Sequence, residues 1–572
     1  MKVLNSLALS IIACSRDAKD FIRIWESFQW RDTLLGNSQA SQEPIDSKPS
    51  RSFLEDLKSI LETLVDIIGS DSLNLGIMSL DNKINENEEN ELWVLLADMD
   101  VVSHFVFLEH VNRSWTWEDF YPEWIDEEED NEVPQCPSVP IPELNTNTTF
   151  HVLFAEMPCN ISSDWTRDVI RLHIQLAIAN IAVRSESSYV ILFSQCPPFP
   201  NLFTCTELLL HRRHLWLYSV DAPKLQRKLK LPSGSCELAI KSKVQSYNDG
   251  LSVSKHRNEA YATILHSTWE GRGYVCGAIA LGHSIRKTGS TRDMVIVVVD
   301  EEGSSKTSEM GTDLPWWEHE HYRHGLVEAG WRIISMAGIR NPYAQPNSYN
   351  EWNYSKLRLW QLTSYQKIVF LDSDTLVLRN IDFLFEAEEL SASGNSRTVF
   401  NSGVMVIEPN NCTFNLLMSS LHSIVSYNGG DQGFLNEIFT WWHRLPRRTN
   451  FLKHFYSDSQ EEFEQKTKLF GMDPPLLYVL HFLGYKPWLC FRDYDCSWNF
   501  PELRMFASDV AHATWWNVYD SMPHKLQQYC RLTRTQTDNL SFEIYTAKIS
   551  LDPDPHRHWE RNISDPRFLS PS

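Results

Sequence analysis

Residues Lys367–Leu376 read KIVFLDSDTL. Ile368, Val369, Phe370 and Leu371 form an unbroken apolar run, the pattern of a strand covered on both faces. Asp372 and Asp374 follow where that strand has to leave its sheet, at the carboxyl edge where open α/β sheets place ligands. Two carboxylates spaced i, i+2 can turn onto one divalent cation, and a hard cation there can hold a diphosphate. An acid-rich turn has the same local pattern, so the flanking sequence has to decide.

Upstream, the pattern alternates regularly. Tyr261–Leu265 reads as a strand, and Tyr274–Lys287 as a helix through Ala278, Leu281 and Ile285. Met294–Asp300 (MVIVVVD) is a second buried strand, Glu320–Gly330 a helix ended by its glycine, and Trp331–Met336 a third strand. Tyr354–Leu362 reads as a helix leading into the strand that ends at Asp372. This succession predicts an α/β domain whose mostly parallel sheet carries helices on both faces.

Four more segments supply polar groups of the kind a single site needs. FNSG at Phe400–Gly403 precedes the apolar run Val404–Ile407, so Asn401 and Ser402 stand at the mouth of a strand. Their side chains can bond sugar hydroxyls, and Gly403 permits close approach to the backbone. YNGGDQGF at Tyr427–Phe434 is a glycine-rich turn presenting Asp431 and Gln432, with Asp431 either an N-cap or a contact to a sugar. HFLGYKPW at His481–Trp488 offers an imidazole ligand in His481 and a cation for phosphate oxygens in Lys486. Two carboxylates, one imidazole and phosphate oxygens suit Mn²⁺. Lys356 opens the helix before the aspartates, and Arg358, two residues on, must face elsewhere.

The 572 residues exceed one core, with a formal net charge of −22 that argues against a nucleic-acid partner. The 21 Trp suit both ordinary cores and sugar-binding grooves. The 11 Cys contain no CxxC pair; Cys490 with Cys496, and Cys196 with Cys205, are near enough in sequence for disulfides, with connectivity open. Sequons at Asn112, Asn147, Asn160, Asn353, Asn411, Asn539 and Asn562 permit a secretory location. The start, MKVLNSLALSIIACSRD, has the size of a signal-peptide core and is too short for a bilayer span. Residues 1–52 are therefore expected to be a signal or anchor remnant and stem. Residues 53–240 are expected to form an αβ accessory region with an amphipathic helix at Val169–Val183. The catalytic domain is expected at 241–535 and a tail at 536–572. DEEED at Asp126–Asp130 reads as a solvated loop.

From Tyr261 to about Trp498 the chain resembles the glycogenin-type retaining glycosyltransferases of the GT-A fold, and among them the plant xylan α-glucuronosyltransferases. The resemblance rests on GAIALGHSI, NYSKLRLWQL, KIVFLDSDTLVLRNIDFLF, FNSGVMVIEP, YNGGDQGFLNE, HRLP and HFLGYKPWLCFRDYDC, in that order. It implies that Asp372, Asp374 and His481 bind Mn²⁺, with Ser373 against the nucleotide. It implies that Lys486 and Gly484 hold the diphosphate within the run His481, Phe482, Leu483, Gly484, Tyr485, Lys486. Asn401, Ser402, Gly403 and the run Asn428, Gly429, Gly430, Asp431, Gln432 would hold the donor sugar. Lys356, Asp431 and Gln432 would serve catalysis, and Thr263 and Tyr274 would meet the uridine. It further implies glucuronate transfer from UDP-glucuronate to O-2 of xylosyl residues of xylan, in the Golgi lumen. Membrane association through an N-terminal anchor and a Golgi synthase complex are implied as well. UDP-glucose or UDP-galactose as donor, and an inactive transferase-fold scaffold, are the competing expectations. A glucuronate carboxylate calls for a cation, with Arg286, Arg340 and Arg358 as candidates.

Overall fold

In the computed structural model the described residues are 51–69, 72–80, 96, 99, 101–120, 137, 139–144, 148–159, 164–230, 258–266, 273–300, 320–346, 348–455, 460–565 and 567. The apolar amino terminus, the stem to residue 50, the acidic run and residues 238–257 lie outside them. Two compact units emerge, Met1–Trp117 with Pro137–Lys230, and Glu118–Cys136 with Leu231–Ser572. Among the described residues no helix is long and apolar enough to cross a membrane.

The first described element of the first unit is α1 (Arg51–Ile68), whose Leu57, Ile60, Leu61 and Leu64 repeat at helical spacing and are all buried. Its sheet has the order β2-β1-β3-β4-β6-β5, formed by β1 (Leu73–Ser79), β2 (Val101–Phe107), β3 (Val152–Glu156), β4 (Tyr189–Phe193), β5 (Leu208–Arg212) and β6 (Leu215–Ser219). Between β3 and β4 runs α2 (Val169–Arg184), N-capped by Asp168, which accepts from the Arg171 N–H. The expected amphipathic helix is instead an interior one, buried on nearly every face. Arg171, buried within it, donates through Nη1 to the Pro158 carbonyl and Ser194 Oγ and through Nη2 to the carbonyls of Cys196 and Pro197. Cys196 is bonded to Cys159, which rules out its pairing with Cys205. After β6 comes α3 (Ala222–Lys230).

The second unit holds a seven-stranded sheet of order β14-β12-β13-β10-β7-β8-β9. Four of its strands, β10 (Lys367–Leu371), β7 (Glu259–His266), β8 (Asp293–Asp300) and, at the edge, β9 (Arg332–Ala337), follow one another in the sheet and pair parallel. The expected mostly parallel core is present. The helices α4 (Val275–Lys287) and α5 (Glu320–Glu328) supply the crossovers, and Ala278, Leu281 and Ile285 of α4 are fully buried. Segment 353–361 is a 3₁₀ helix, in which residues three apart eclipse, so Asn353 and Lys356 lie on one line.

Two departures from a simple parallel sheet build the site. First, β11 (Thr375–Val377) leaves directly after the aspartates, and β12 (Ser391–Gly394) returns before β13 (Phe400–Ile407). FNSG is therefore the first half of one strand, antiparallel to β10, with Leu371 opposite Val404. Antiparallel pairing brings the start of β13 beside the end of β10, and the Asp372 N–H donates to the Gly403 carbonyl at 2.9 Å. Second, after α6 (Asn411–Ser420), α7 (Asp431–Ile438) and β14 (His443–Arg444), β15 (Phe451–Leu452) joins β11 through β16 (Val479–His481). That register sets His481 opposite Thr375, one residue past Asp374. Helices α8 (Gln460–Phe470), α9 (Asp509–Ser521) and α10 (Arg534–Ile549) complete the unit, α10 opening with a Thr533–Gln536 capping box. Two more disulfides, Cys276–Cys530 and Cys490–Cys496, lie in this unit.

Candidate active site

Among the described residues, Asp372, Asp374 and His481 form a group whose ligand atoms all lie within 4.8 Å of one another. His481 Nε2 is 3.3 Å from Asp374 Oδ1. The other ring nitrogen, Nδ1, is 3.0 Å from Asn450 Oδ1, so it carries the proton and leaves Nε2 bare toward the carboxylates. Burial works against ionisation of Asp374, but the Lys486 ammonium beside it overcomes that and holds the carboxyl well below the usual carboxylate range. Burial, aided by Asp374, raises Asp372 in spite of Lys356. Two carboxylates and a bare imidazole nitrogen fit a divalent cation of the Mn²⁺ kind.

The ring of His481 occupies the space that Gly403 leaves open. A Cβ on Gly403 would come within 2.4 Å of His481 Cε1. Asn401, expected at the sugar, is 8% exposed and committed to protein groups: its Oδ1 accepts from the Gly403 N–H at 2.9 Å and from Asn450 Nδ2 at 2.8 Å. Asn401 and Gly403 thus position the histidine. Ser373 sits between the two aspartates, its carbonyl packed against Gly277 of α4, where any side chain would collide.

On the other flank Lys356 Nζ donates to Asp431 Oδ2 at 2.7 Å and lies 3.3 Å from Asp372 Oδ1. Ser402 Oγ donates to the same Asp431 oxygen at 2.9 Å. Burial alone would lower the Lys356 pKa, but Asp372 and Asp431 outweigh it and keep the ammonium charged. Asp431 is the first residue of α7, with Gly430 at the cap position. Gln432 Oε1 accepts from the Ser402 N–H, and its Nε2 donates to Tyr427. The loop itself is shaped by Asn428 Oδ1, which accepts from the N–H groups of Gly430 and Gly433. Gly429 has φ +68°, a left-handed turn position, and its carbonyl accepts from Asn341 and Asn350.

Lys486 Nζ donates to Asp374 Oδ2 at 2.7 Å and to the Phe482 carbonyl at 2.6 Å. Gly484, at φ +75° and pressed against Phe506, makes the turn between them. Leu483 is partly buried beside it. Three expected side chains are not brought to the site, although the Phe482 backbone is, through the carbonyl that Lys486 holds. Phe482 is fully buried in the core. Tyr485 turns outward to donate to Glu543 at 2.9 Å and stacks on Phe500. Thr263 is fully buried on the face of β7 shared with Tyr261 and Leu265, because strand side chains alternate. Tyr274 does line a cavity of about 400 Å³, together with Tyr349, Trp488, Leu489, Tyr529 and Leu532.

Alternation along β7 instead turns His266, for which the sequence suggests no role, toward Asp431 and Lys356. Among the described residues its Nδ1 is buried without a partner. Burial pushes the imidazole pKa down to about 4, with Asp431 and Lys356 as the charges it feels. Asn353, on the Lys356 side of its helix, also has a buried Oδ1 without a partner among the described residues, and its Nδ2 lies 2.8 Å from where a Gly430 Cβ would be. The phase of strand alternation and the i, i+3 spacing in NYSK were the available signals.

Residues 272–491 match the Glycosyl transferase family 8 profile, and residues 46–236 match the GUX1-5 N-terminal domain profile. With the GT-A-like sheet and its paired aspartates, this defines the chain as a glycosyltransferase. UDP-glucuronate:xylan alpha-glucuronosyltransferase 1 of Arabidopsis thaliana is 49% identical over 465 residues, 81% of this chain and 67% of that protein. UDP-glucuronate:xylan alpha-glucuronosyltransferase 2 of the same plant is 43% identical over 477 residues, 81% of this chain and 76% of that protein. Glycogenin-1 of Homo sapiens is 30% identical over 289 residues, 48% of this chain and 78% of that protein. The chain belongs to the UDP-glucuronate:xylan alpha-glucuronosyltransferase family.

Proposed function

We propose that the chain transfers glucuronate from UDP-glucuronate to O-2 of xylosyl residues of xylan, with the α configuration retained and with Mn²⁺ bound by Asp372, Asp374 and His481. The observation that carries this reading is the convergence of those three ligands with Lys486 on one side and the Lys356–Asp431 pair on the other. When bound, the cation supplies Lewis-acid stabilisation of the diphosphate leaving group. The chain's own groups do the rest. Lys486 adds positive charge where the leaving phosphate gains negative charge. Lys356 and Ser402 hold the Asp431 carboxylate in place, and Asp431 with Gln432 faces the donor sugar. In a front-face route the leaving phosphate oxygen accepts the proton of the xylose hydroxyl. Asp431 as a nucleophile is the competing route.

The donor carboxylate is assigned to Arg340. Arg286 is committed to the carbonyls of Ser290 and Arg292, and Arg358 to the Ala337 carbonyl and Gln361. Arg340 is half-exposed, held by Glu351 at 2.8 Å, and adjoins Asn341, which holds Gly429 of the donor loop. The disulfides Cys159–Cys196, Cys276–Cys530 and Cys490–Cys496 among the described residues support an oxidising lumen such as that of the Golgi as the site of action, and an N-terminal anchor and a synthase complex belong to the same reading. Proton NMR of xylohexaose after reaction tests it: an α-linked glucuronosyl group at O-2 is expected, and a β anomer removes the retaining mechanism.

A further inference from the structure

Arg567 is buried near the end of the chain, and its guanidinium joins two segments that flank the nucleotide side of the site. Nη1 donates to the carbonyls of Trp488 at 2.7 Å and Cys530 at 3.4 Å, and Nη2 donates to the Cys490 carbonyl. Asp565 holds the guanidinium through Nε at 3.0 Å and Nη2 at 2.6 Å, and also accepts from the Arg492 N–H. The side chains of Arg567 and Asp565 are 2% and 0% exposed, and the guanidinium lies over Trp516.

The carbonyls it holds are not arbitrary ones. Trp488 stands two residues after Lys486, and its indole donates to the Gly273 carbonyl at 2.6 Å and packs edge-on against Tyr274. Cys530 is bonded to Cys276, at the start of α4, whose cap residue is Tyr274. One planar fork therefore fixes the Lys486 segment against the Tyr274 segment. A lysine could reach only part of this set, because it lacks the fork.

We infer that Arg567, clamped by Asp565, is a positioning residue for the nucleotide diphosphate: it sets the spacing between Lys486 and Tyr274. The inference rests on the proposed UDP-sugar reading. UDP binding by the full chain, measured by calorimetry with Mn²⁺ present, tests it alongside steady-state kinetics. R567A should weaken UDP and raise the donor KM by about tenfold, with the acceptor KM changed by less than about twofold. R567K should recover part of the loss, and D565N should resemble R567A. The control is R504A, which cuts the Arg504–Asp552 tie of the same carboxyl-terminal region without touching residues 488–490. Should R567A fold poorly, R567K and R504A compared at matched Tm carry the test. Unchanged UDP affinity in R567A or R567K, or equal losses in R504A, overturns the inference while the functional reading stands. A wild-type chain that does not bind UDP removes both, and one that binds UDP but uses another sugar removes only the glucuronate assignment.

Discussion

His481 Nδ1 donates to Asn450 Oδ1, and the direction of that bond is fixed by the backbone. The Gly403 N–H can only donate, so Asn401 presents Oδ1; Asn450 must then give Nδ2 to Asn401 and Oδ1 to the histidine. Asn450→Ala removes the acceptor and frees the ring to rotate or change tautomer. Mn²⁺ affinity should fall about tenfold, read from the metal dependence of the initial rate. An unchanged metal dependence means that the ring is held by other contacts.

Gly403→Ala puts a methyl group into the His481 ring. We expect an activity loss of at least about tenfold, with Mn²⁺ affinity reduced in parallel, since the ring has to move by roughly 1 Å to make room. The circular dichroism spectrum should stay native. Full activity would show that β13 can shift without cost.

Lys356 and Lys486 separate two functions that charge alone does not distinguish. Lys356→Ala strips Asp431 of its cation, so kcat should fall about 100-fold or more while UDP affinity changes little. Lys486→Ala removes the group beside Asp374 and should weaken UDP directly. The reverse pattern, weak UDP binding in Lys356→Ala and normal binding in Lys486→Ala, contradicts the assigned orientation of the donor.

Beneath the His481–Lys486 segment, Lys453 and Asp495 form a fully buried ion pair, with Asp495 also accepting from the Ser497 and Ser508 N–H groups. Burial opposes its charge, yet Lys453 and His512 with these hydrogen bonds hold the Asp495 pKa below its ordinary 3.8. That contribution to stability is complete above pH 3.8 and is lost as pH falls through the lower, folded-state value. Lys453→Met leaves the carboxylate buried without its cation and should cost about 3–5 kcal/mol at pH 7. In the variant Asp495 gains a proton more readily than in the unfolded chain, so the gap to wild type should narrow toward pH 4. Urea unfolding at several pH values measures it, and a pH-independent gap would show that packing, not charge, dominates.

What the sequence disclosed depended on how local each cause was. Asp372 and Asp374 were legible because an apolar run followed by acids is a nearest-neighbour pattern. Strand and helix order from β7 to β10 was legible for the same reason. The direction of β13 was not, since a connection as long as that from Leu371 to Phe400 allows either. Thr263 and His266 show the cost of strand phase: which of two alternating faces meets the ligand is set by where α4 packs. Cys276 and Cys530 are 254 residues apart, and their pairing depends on the folded unit. The roles of Asn401 and Gly403 hinge on Asn450, whose short sequence context carries no ligand signature.

The most direct measurement offers the wild-type chain equal UDP-glucuronate and UDP-glucose with Mn²⁺ and xylohexaose, and weighs the products by mass spectrometry. Glucuronosyl-xylohexaose as the dominant product, lost on Arg340→Ala and on chelation of the metal, is the predicted result. Hexosyl-xylohexaose from wild type, with no glucuronosyl product, contradicts the account.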